Sequence, residues 1–220
     1  YQVEFIEFLI GCQALTFGDF TTKSGRKTPY FVNTGRFNTG DKISKLGEFY
    51  AEHIITLGLH QKANIIFGPA YKGIPLCVST ASALSSKFGA NLGFTFDRKE
   101  VKDHGDGGRY VGAPLSETSR VILVEDVITA GTTMREVSPA LRSIAGLEIL
   151  GAVIAVDRCE RGTADLSAVQ EVQSTLSIPV YPIVNIHEIV SYLNSKQPEW
   201  FSSDLDSRIR GYIAEYGATQ

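Results

Sequence analysis

Two adjacent carboxylates, Glu125 and Asp126, stand between an apolar segment and a loop of small and hydroxyl residues. Residues 121–124 are aliphatic, as in a strand that is covered on both faces of a parallel sheet. The loop at 129–133 holds three threonines and Gly131, which permits a close backbone approach, and a helical pattern follows from Met134. The segment therefore predicts a phosphate-binding loop at the carboxyl edge of a sheet, beside two acids that suit the hydroxyl groups of a sugar.

A second strand-to-helix loop has the same character. An apolar run at residues 65–67 is followed by Gly68-Pro-Ala-Tyr-Lys-Gly73. Gly68 and Gly73 permit backbone conformations that other residues resist. Lys72 places a cation beside the N-terminus of the next helix, where the helix dipole also favours anions. Two such loops on one sheet suit a ligand with phosphates at both ends.

The basic stretch, residues 98–112, is polar and carries four glycines between two predicted strands. It is predicted to be an exposed, mobile loop. Arg98, Lys99, Lys102 and His104 cluster at its start and suit a pyrophosphate group. A loop of this kind can close over a substrate and exclude water.

The elements that must position these residues alternate along the chain. Strands are predicted near residues 64–68, 91–97, 120–125, 148–156 and 180–185, and helices near 3–14, 41–57, 73–88, 131–145, 165–175, 187–195 and 204–216. This alternation predicts an α/β fold with a mostly parallel, doubly wound sheet flanked by helices. Asp41 is the predicted N-cap of the second helix.

The N-terminal segment departs from that rhythm, because residues 16–38 predict short antiparallel strands and turns. Residues 1 to about 40 are therefore expected to form a small α+β subdomain, the hood, over the carboxyl edge of the sheet. No repeat or linker divides the chain, so residues 1–220 are predicted to be one domain.

Composition argues against several classes of protein. The formal net charge of −3 is unlike that of a nucleic-acid binder, which carries a basic surplus. No apolar run approaches the ~20 residues that span a bilayer, and the acidic N-terminal segment lacks the basic flank of a signal peptide. Cys12, Cys77 and Cys159 are scattered and form no metal-binding pattern, which predicts reduced thiols and a cytoplasmic protein.

Residues 121–133 resemble the motif that binds phosphoribosyl pyrophosphate (PRPP) in type I phosphoribosyltransferases. Within that superfamily the chain resembles the orotate phosphoribosyltransferases, over residues 20–26 with 29–33, 67–73, 97–105 and 121–133 in order, and on through 157–161. The first and third segments are specific to the orotate enzymes. One departure is the pair Glu125-Asp126, where many relatives carry two aspartates, although both types occur.

The resemblance implies the type I phosphoribosyltransferase fold. It also implies transfer of the phosphoribosyl group of PRPP to orotate, giving orotidine 5′-monophosphate and pyrophosphate, in pyrimidine biosynthesis. The implied PRPP-binding residues are Tyr71, Lys72, Arg98, Lys99, Lys102, His104, Glu125, Asp126, Val127, Ile128, Thr129, Ala130, Gly131, Thr132 and Thr133. The implied orotate-binding residues are Lys23, Phe31, Val32, Thr129 and Arg158. The implied catalytic residues are Lys102, Asp126, Glu125, His104 and Arg98.

The same resemblance implies how these groups act. Glu125 and Asp126 would hold the ribose hydroxyls, while Mg²⁺ would sit mainly on PRPP oxygens, with these two acids contacting it through water. Lys102 would offset charge on the departing pyrophosphate, and His104 would either deliver a proton or act as a neutral donor. Arg158 would pair with the carboxylate of orotate.

Two further features follow from the resemblance alone. The peptide bond before Tyr71 is often cis in the family. The enzymes are homodimers in which the basic stretch acts largely in the site of the neighbouring subunit.

Three alternatives stay open at this point. The chain could be a purine or uracil phosphoribosyltransferase, which would share the 121–133 motif but not residues 23–33 or the basic stretch. It could be a regulator that binds PRPP without catalysis, although no basic surface or added DNA-binding module is visible. It could be half of a bifunctional protein fused to a decarboxylase, although 220 residues leave no room for that second domain.

Overall fold

The hood, residues 1–40, contains a helix and a two-stranded sheet. The computed structural model describes residues 1–22, 25–102, 108–162 and 165–218, with the backbone but not the side chains of 101 and 102. Helix α1 (Gln2–Gly11) precedes the antiparallel strands β1 (Leu15–Thr21) and β2 (Lys27–Val32), and a 3-10 helix follows at Thr34–Arg36. The predicted antiparallel strands are confirmed. Phe5, Leu9 and Tyr30 are fully buried in the same cluster as the large helices, so this segment shares its core with the rest of the protein.

Helix α2 (Gly40–Thr56) begins earlier than the sequence predicts. Its N-cap is Thr39, and not Asp41, which lies inside the first turn. The Thr39 hydroxyl donates to the Asp41 carboxylate. The position of Asp41 is still favourable, because a carboxylate in the first turn complements the helix dipole.

Strands and helices alternate through the remainder of the chain. In chain order they are a 3-10 helix (Leu59–Gln61), β3 (Ile65–Gly68), α3 (Gly73–Phe88), β4 (Gly93–Lys102), β5 (Gly108–Gly112), β6 (Arg120–Glu125), α4 (Thr132–Arg142), β7 (Glu148–Asp157), α5 (Ala168–Leu176), β8 (Val180–Asn185), α6 (Ile186–Lys196) and α7 (Ser203–Tyr216). Side-chain capping boxes fix the starts of α5, at Ser167 and Gln170, and of α6, at Asn185 and Glu188.

A six-stranded sheet, ordered β5-β4-β3-β6-β7-β8, forms the centre of the protein. All neighbouring strands are parallel except at one edge, where β5 runs antiparallel to β4. The predicted mostly parallel sheet is therefore confirmed. The chain passes from β3 to β4 on one side and then returns to β6 on the other, so the order reverses between β3 and β6. Ligands of open α/β sheets bind at the carboxyl ends of such a pair of strands.

Helices cover both faces of the sheet, as the predicted doubly wound arrangement requires. Alternate residues of β6 enter two separate clusters: Ile122 and Val124 pack with α1, α2, α3, α6 and α7, while Val121 and Leu123 pack with α4 and α5. All four side chains are fully buried. Burial on both faces explains why this strand is continuously aliphatic instead of alternating with polar residues.

The basic stretch is more regular than the predicted loop. Residues up to Lys102 extend β4, and β5 pairs with it in the register Phe96↔Val111, Asp97↔Tyr110 and Lys102↔Gly108. The prediction of a loop is therefore wrong for residues 98–102 and 108–112, whereas residues 103–107 lie outside the described part of the chain. At the edge of a sheet, an antiparallel pair can expose its side chains to water while its backbone groups bond across the pair, so polarity alone does not identify a loop.

Among the described residues, no helix combines the length and the apolar composition that crossing a membrane requires.

Candidate active site

The carboxyl end of β6 carries a buried acid next to a partly buried one. Glu125 is the last residue of the strand and is only 7% exposed. Its backbone carbonyl accepts a hydrogen bond from the Tyr50 hydroxyl at 2.7 Å, which ties α2 to this point. Burial, and then the neighbouring Asp126 carboxylate, raise the pKa of Glu125 to about 8. Glu125 is therefore mostly protonated at neutral pH before a cation or hydroxyl ligand arrives.

Asp126 is held in its charged form by three donors. Its Oδ1 accepts from the Val127 N–H at 2.8 Å, and its Oδ2 accepts from Lys72 Nζ at 2.8 Å and from the Thr34 hydroxyl. Burial alone would raise the pKa of Asp126, but the hydrogen bonds from Lys72 and Thr34 outweigh it and leave the pKa below its ordinary value. The two carboxyls thus differ in charge because Asp126 accepts from Lys72 and Thr34, whereas Glu125 accepts only the long 3.3 Å hydrogen bond from the Asp126 N–H among the described residues.

The β6–α4 loop, residues 126–131, opens toward solvent after the acids. Val127 is half-buried and Ile128 is buried, whereas Thr129, Ala130 and Thr132 are exposed and Thr133 is half-buried. Gly131 is the N-cap of α4 and takes a left-handed φ of +67°. The first N–H groups of α4 have no partner inside the helix, so they and the threonine hydroxyls can donate to a phosphate.

The β3–α3 loop, residues 69–72, is held by its flanking glycines. A Cβ on Gly68 would lie 2.0 Å from the carbonyl oxygen of Gly73, so the two backbones touch where any side chain would intervene. The buried Asp97 on β4 accepts from the Ala70 N–H at 2.7 Å. The Ala70–Tyr71 peptide bond is cis, which confirms the feature implied by the family resemblance. Tyr71 is 72% exposed and Lys72 reaches across to Asp126.

Three predicted pyrophosphate-binding cations of the basic stretch, Arg98, Lys99 and Lys102, lie on β4. Arg98 donates through Nη1 to the Gly108 carbonyl at 3.1 Å, and Lys99 Nζ lies 3.5 Å from the Glu136 carboxylate of α4. Lys102 ends the strand, and its side chain is not among those described. His104 lies outside the described residues.

Apart from Thr129 of the β6–α4 loop, the residues predicted to bind orotate belong to the hood segment or follow β7. Lys23 lies outside the described residues. Phe31 is partly exposed and stacks on Phe20, with ring centroids 5.6 Å apart, and Val32 is half-buried. Arg158 follows the carboxyl end of β7 and pairs with Glu160, with Nη2 and Oε1 2.6 Å apart. Its guanidinium also lies over the Tyr30 ring, 5.0 Å from the centroid.

Some predicted site residues are in direct contact, and others are related only because they lie on or after neighbouring strands of the sheet. Lys72 and Asp126 are in contact, so both loops meet at one carboxylate. Arg158 stands at the end of β7, the strand next to β6, and Arg98 and Lys99 stand on β4, the strand next to β3. All these groups therefore belong to the carboxyl side of neighbouring strands.

Several residues that support the site were given no role by the sequence. Thr34 binds Asp126, Asp97 holds the β3–α3 loop, and Glu160 binds Arg158. Arg135 donates to the Ala130 carbonyl and pairs with Glu171 at 3.1 Å, which braces the β6–α4 loop. Their only signal in the sequence was proximity to a motif.

Glu125 and Asp126 are the acids of the site that could contact Mg²⁺. Within the described residues, no three acid, histidine or cysteine side chains are grouped closely enough to hold a metal ion. Glu125 and Asp126 supply carboxylate oxygens, the chemistry that Mg²⁺ prefers, but Oδ2 of Asp126 already accepts two hydrogen bonds. The pair therefore fits an ion that takes most of its ligands from a phosphate substrate and water.

A family model, related proteins and solved structures agree on what this chain is similar to. Residues 34–184 match the family described as "Phosphoribosyl transferase domain". An orotate phosphoribosyltransferase of Bifidobacterium longum is 49% identical, over 97% of this chain and 96% of that protein. One of Clostridium beijerinckii is 46% identical, over 99% and 98%. The crystal structure of the orotate phosphoribosyltransferase of Francisella tularensis superposes with a TM-score of 0.86 at 38% identity, over 98% of this chain and all of that one.

Proposed function

Because the chain belongs to the orotate phosphoribosyltransferase family, we propose that it transfers the phosphoribosyl group of PRPP to N1 of orotate. The products are orotidine 5′-monophosphate and pyrophosphate, a step of pyrimidine biosynthesis. The observation that carries this proposal is the meeting of the two loops at the switch point of the sheet, where Lys72 contacts Asp126. A ligand with a phosphate at each end and a ribose between them matches that arrangement.

The β6–α4 loop would hold the ribose 5-phosphate. The N-terminus of α4 and the hydroxyls of Thr129, Thr132 and Thr133 supply donors, and Gly131 keeps the backbone accessible. Glu125 and Asp126, at the base of the loop, would bind the ribose hydroxyls. Since Asp126 is already paired with Lys72 and Thr34, ribose binding requires these donors to share or release its oxygens.

The chemical step concentrates negative charge on the departing pyrophosphate. Lys72, released from Asp126, together with Arg98, Lys99 and Lys102, would stabilise that charge, and such electrostatic contributions reach several kcal/mol, roughly 3 for a single donor. Mg²⁺, when bound, would offset charge on the same oxygens, held mainly by PRPP and through water by Glu125 and Asp126. His104 would donate a hydrogen bond or a proton to the pyrophosphate.

The base would lie between the hood and the end of β7. Phe31 and Val32 offer an apolar surface, Lys23 and Thr129 offer donors, and Arg158 would pair with the orotate carboxylate. A site built to pair that carboxylate discriminates against uracil, which offers the guanidinium no carboxylate.

The organisation that accompanies this function is a single domain over residues 1–220 whose hood shares the main core, as the burial of Phe5 and Tyr30 supports. The three cysteines are free, which suits a cytoplasmic enzyme.

A homodimer in which the basic stretch serves the neighbouring site is part of the same proposal. It is supported by the family resemblance and by the exposure of apolar Val78 and Phe94 beside the β4–β5 hairpin.

One assay tests the proposed reaction. The protein is incubated with PRPP and Mg²⁺, and orotate, uracil, hypoxanthine or adenine is offered separately while pyrophosphate release is measured. Of the four bases, only orotate is expected to support turnover. Turnover with uracil but not orotate would overturn the assignment, and PRPP binding without turnover of any base would indicate a regulator.

The shared site is tested by mixing subunits. Heterodimers of Lys102→Ala chains with Arg158→Ala chains are expected to regain part of the activity that each homodimer lacks, since one site then has both groups. No recovery in the mixture would show that the basic stretch acts within its own chain.

A further inference from the structure

Glu160 and Arg158 form a close pair just beyond the end of β7. The Glu160 Oε1 accepts from Arg158 Nε at 2.9 Å and from Nη2 at 2.6 Å. Both side chains are more than four-fifths buried. From this pair we infer that Glu160 is a positioning residue that orients Arg158 toward the carboxylate of the base, an inference that rests on the proposed function.

Tyr30 completes the arrangement from the hood. Its hydroxyl donates to the same Glu160 Oε1 at 2.8 Å, and its ring lies beneath the guanidinium. Burial, followed by the Glu160 carboxylate, raises the pKa of Tyr30 well above its usual value, so the hydroxyl stays protonated and remains a donor. The ring is fully buried and meets Tyr212 of α7 edge-on, with centroids 5.8 Å apart.

The backbone around Glu160 is also anchored. Glu160 forms a β-bridge with Gly217, just after α7, and the Ala218 N–H donates to the Cys159 carbonyl at 2.8 Å. The carboxylate therefore projects from a fixed point, and the flexible partner in the pair is the long arginine side chain. Fixing that side chain before the substrate arrives reduces the ordering that binding must bring about.

The hydrogen bonds between Arg158 and Glu160 do not involve Nη1 of the guanidinium. An arginine has five N–H donors in a planar fork, and the bonds to Glu160 involve the edge formed by Nε and Nη2. The outer edge, which includes Nη1, is the one that can form two parallel hydrogen bonds with another carboxylate. Glu160 would thus select the orientation in which this outer edge faces the base.

The role is tested by steady-state kinetics on wild type, Glu160→Ala, Glu160→Gln, Arg158→Ala and the Glu160→Ala/Arg158→Ala double variant. Glu160→Ala is expected to raise the KM for orotate about tenfold, while the KM for PRPP changes less than about twofold, as for loss of one charge-assisted contact. Glu160→Gln keeps an acceptor oxygen and should recover part of the difference. In the double variant, removal of Glu160 should add nothing to the effect of Arg158→Ala.

The binding preference for orotate over uracil, taken as the ratio of their Kd values, gives a second measurement that loss of stability would not change. It should fall in Glu160→Ala and recover in part in Glu160→Gln. If the wild type is active, an unchanged or lowered KM for orotate in Glu160→Ala would overturn this inference but not the proposed function. Glu160 would then play no part in orotate binding, or would compete with orotate for Arg158. A parallel rise in both KM values would also overturn it. Wild type without orotate turnover would instead overturn the proposed function.

Discussion

The β3–α3 and β6–α4 loops occupy equivalent places at the switch point, yet they are supported in different ways. Backbone packing between Gly68 and Gly73 and the buried Asp97 hold the first loop. The second carries the acids Glu125 and Asp126 at its base and reaches the helix through the left-handed Gly131. The first loop depends mainly on close approach, and the second mainly on charge and hydrogen bonding.

This difference shows that topology decides where a loop lies but not what holds its shape. Both loops leave neighbouring parallel strands, so both arrive at the same edge of the sheet. Close backbone contact tolerates no added atom, whereas a carboxylate network tolerates some change of partner. Substitutions in the first loop should therefore affect stability more than comparable ones in the second.

The largest effect is expected from Gly68→Ala. The new Cβ would collide with the Gly73 carbonyl, so the β3–α3 loop must shift, and overpacking of this kind costs about 3 kcal/mol. Urea unfolding measures the loss. Gly211→Ala on α7 is the matched control, because its Cβ would meet nothing within 4 Å and should leave stability unchanged or slightly raised. A wild-type unfolding midpoint for Gly68→Ala would contradict the close-approach account.

Asp97→Ala should have the next largest effect. The variant leaves the Ala70 N–H without its acceptor in a buried place, at a cost of about 2 kcal/mol, and should also raise the KM for PRPP. Asp97→Asn keeps an acceptor oxygen and should lose less than half as much. If both variants are equally destabilised in urea, the charge of Asp97 matters and not its hydrogen bond to the loop.

Gly131→Ala probes the second loop with the same chemical change as Gly68→Ala. A left-handed φ strains a residue with a Cβ by roughly 1–2 kcal/mol, and this Cβ would also lie 2.9 Å from Cγ2 of the buried Val172, a longer contact than the 2.0 Å at Gly68. The loss in unfolding free energy should be smaller than for Gly68→Ala. A loss as large or larger would reverse the proposed order of the two loops.

The smallest effect, for a change of one pH unit, is a pH dependence that belongs to the second loop. Burial raises the pKa of Glu125 from 4.5 to about 8, so between these values the folded state holds a proton that the unfolded state releases. Stability from this group is complete below the lower value and is lost as pH rises through the upper one, by on the order of 1 kcal/mol for each pH unit in between. Urea unfolding across this range should show the decline in wild type and a flatter profile in Glu125→Gln, which cannot titrate. Parallel profiles for wild type and Glu125→Gln would show that the pH dependence arises from another group.

The sequence by itself determined the elements and the places of the two loops. Residues 121–124 are aliphatic because both faces of β6 are covered, and glycines mark both loops because chain direction changes there. The family motif around Glu125 and the cis bond before Tyr71 were also predictable. The course of the basic stretch was not, because an exposed strand pair can be as polar as a loop.

Only the tertiary structure decided which side chains meet. Thr34 and Asp126 are 92 residues apart in sequence, and Lys72 and Asp126 are 54 apart. The pairing of Arg158 with Glu160 and Tyr30 likewise joins a strand end to the hood. Residue types restrict what a side chain can bind, but hydrogen bonds depend on distances of about 3 Å, which are set only when distant segments pack together.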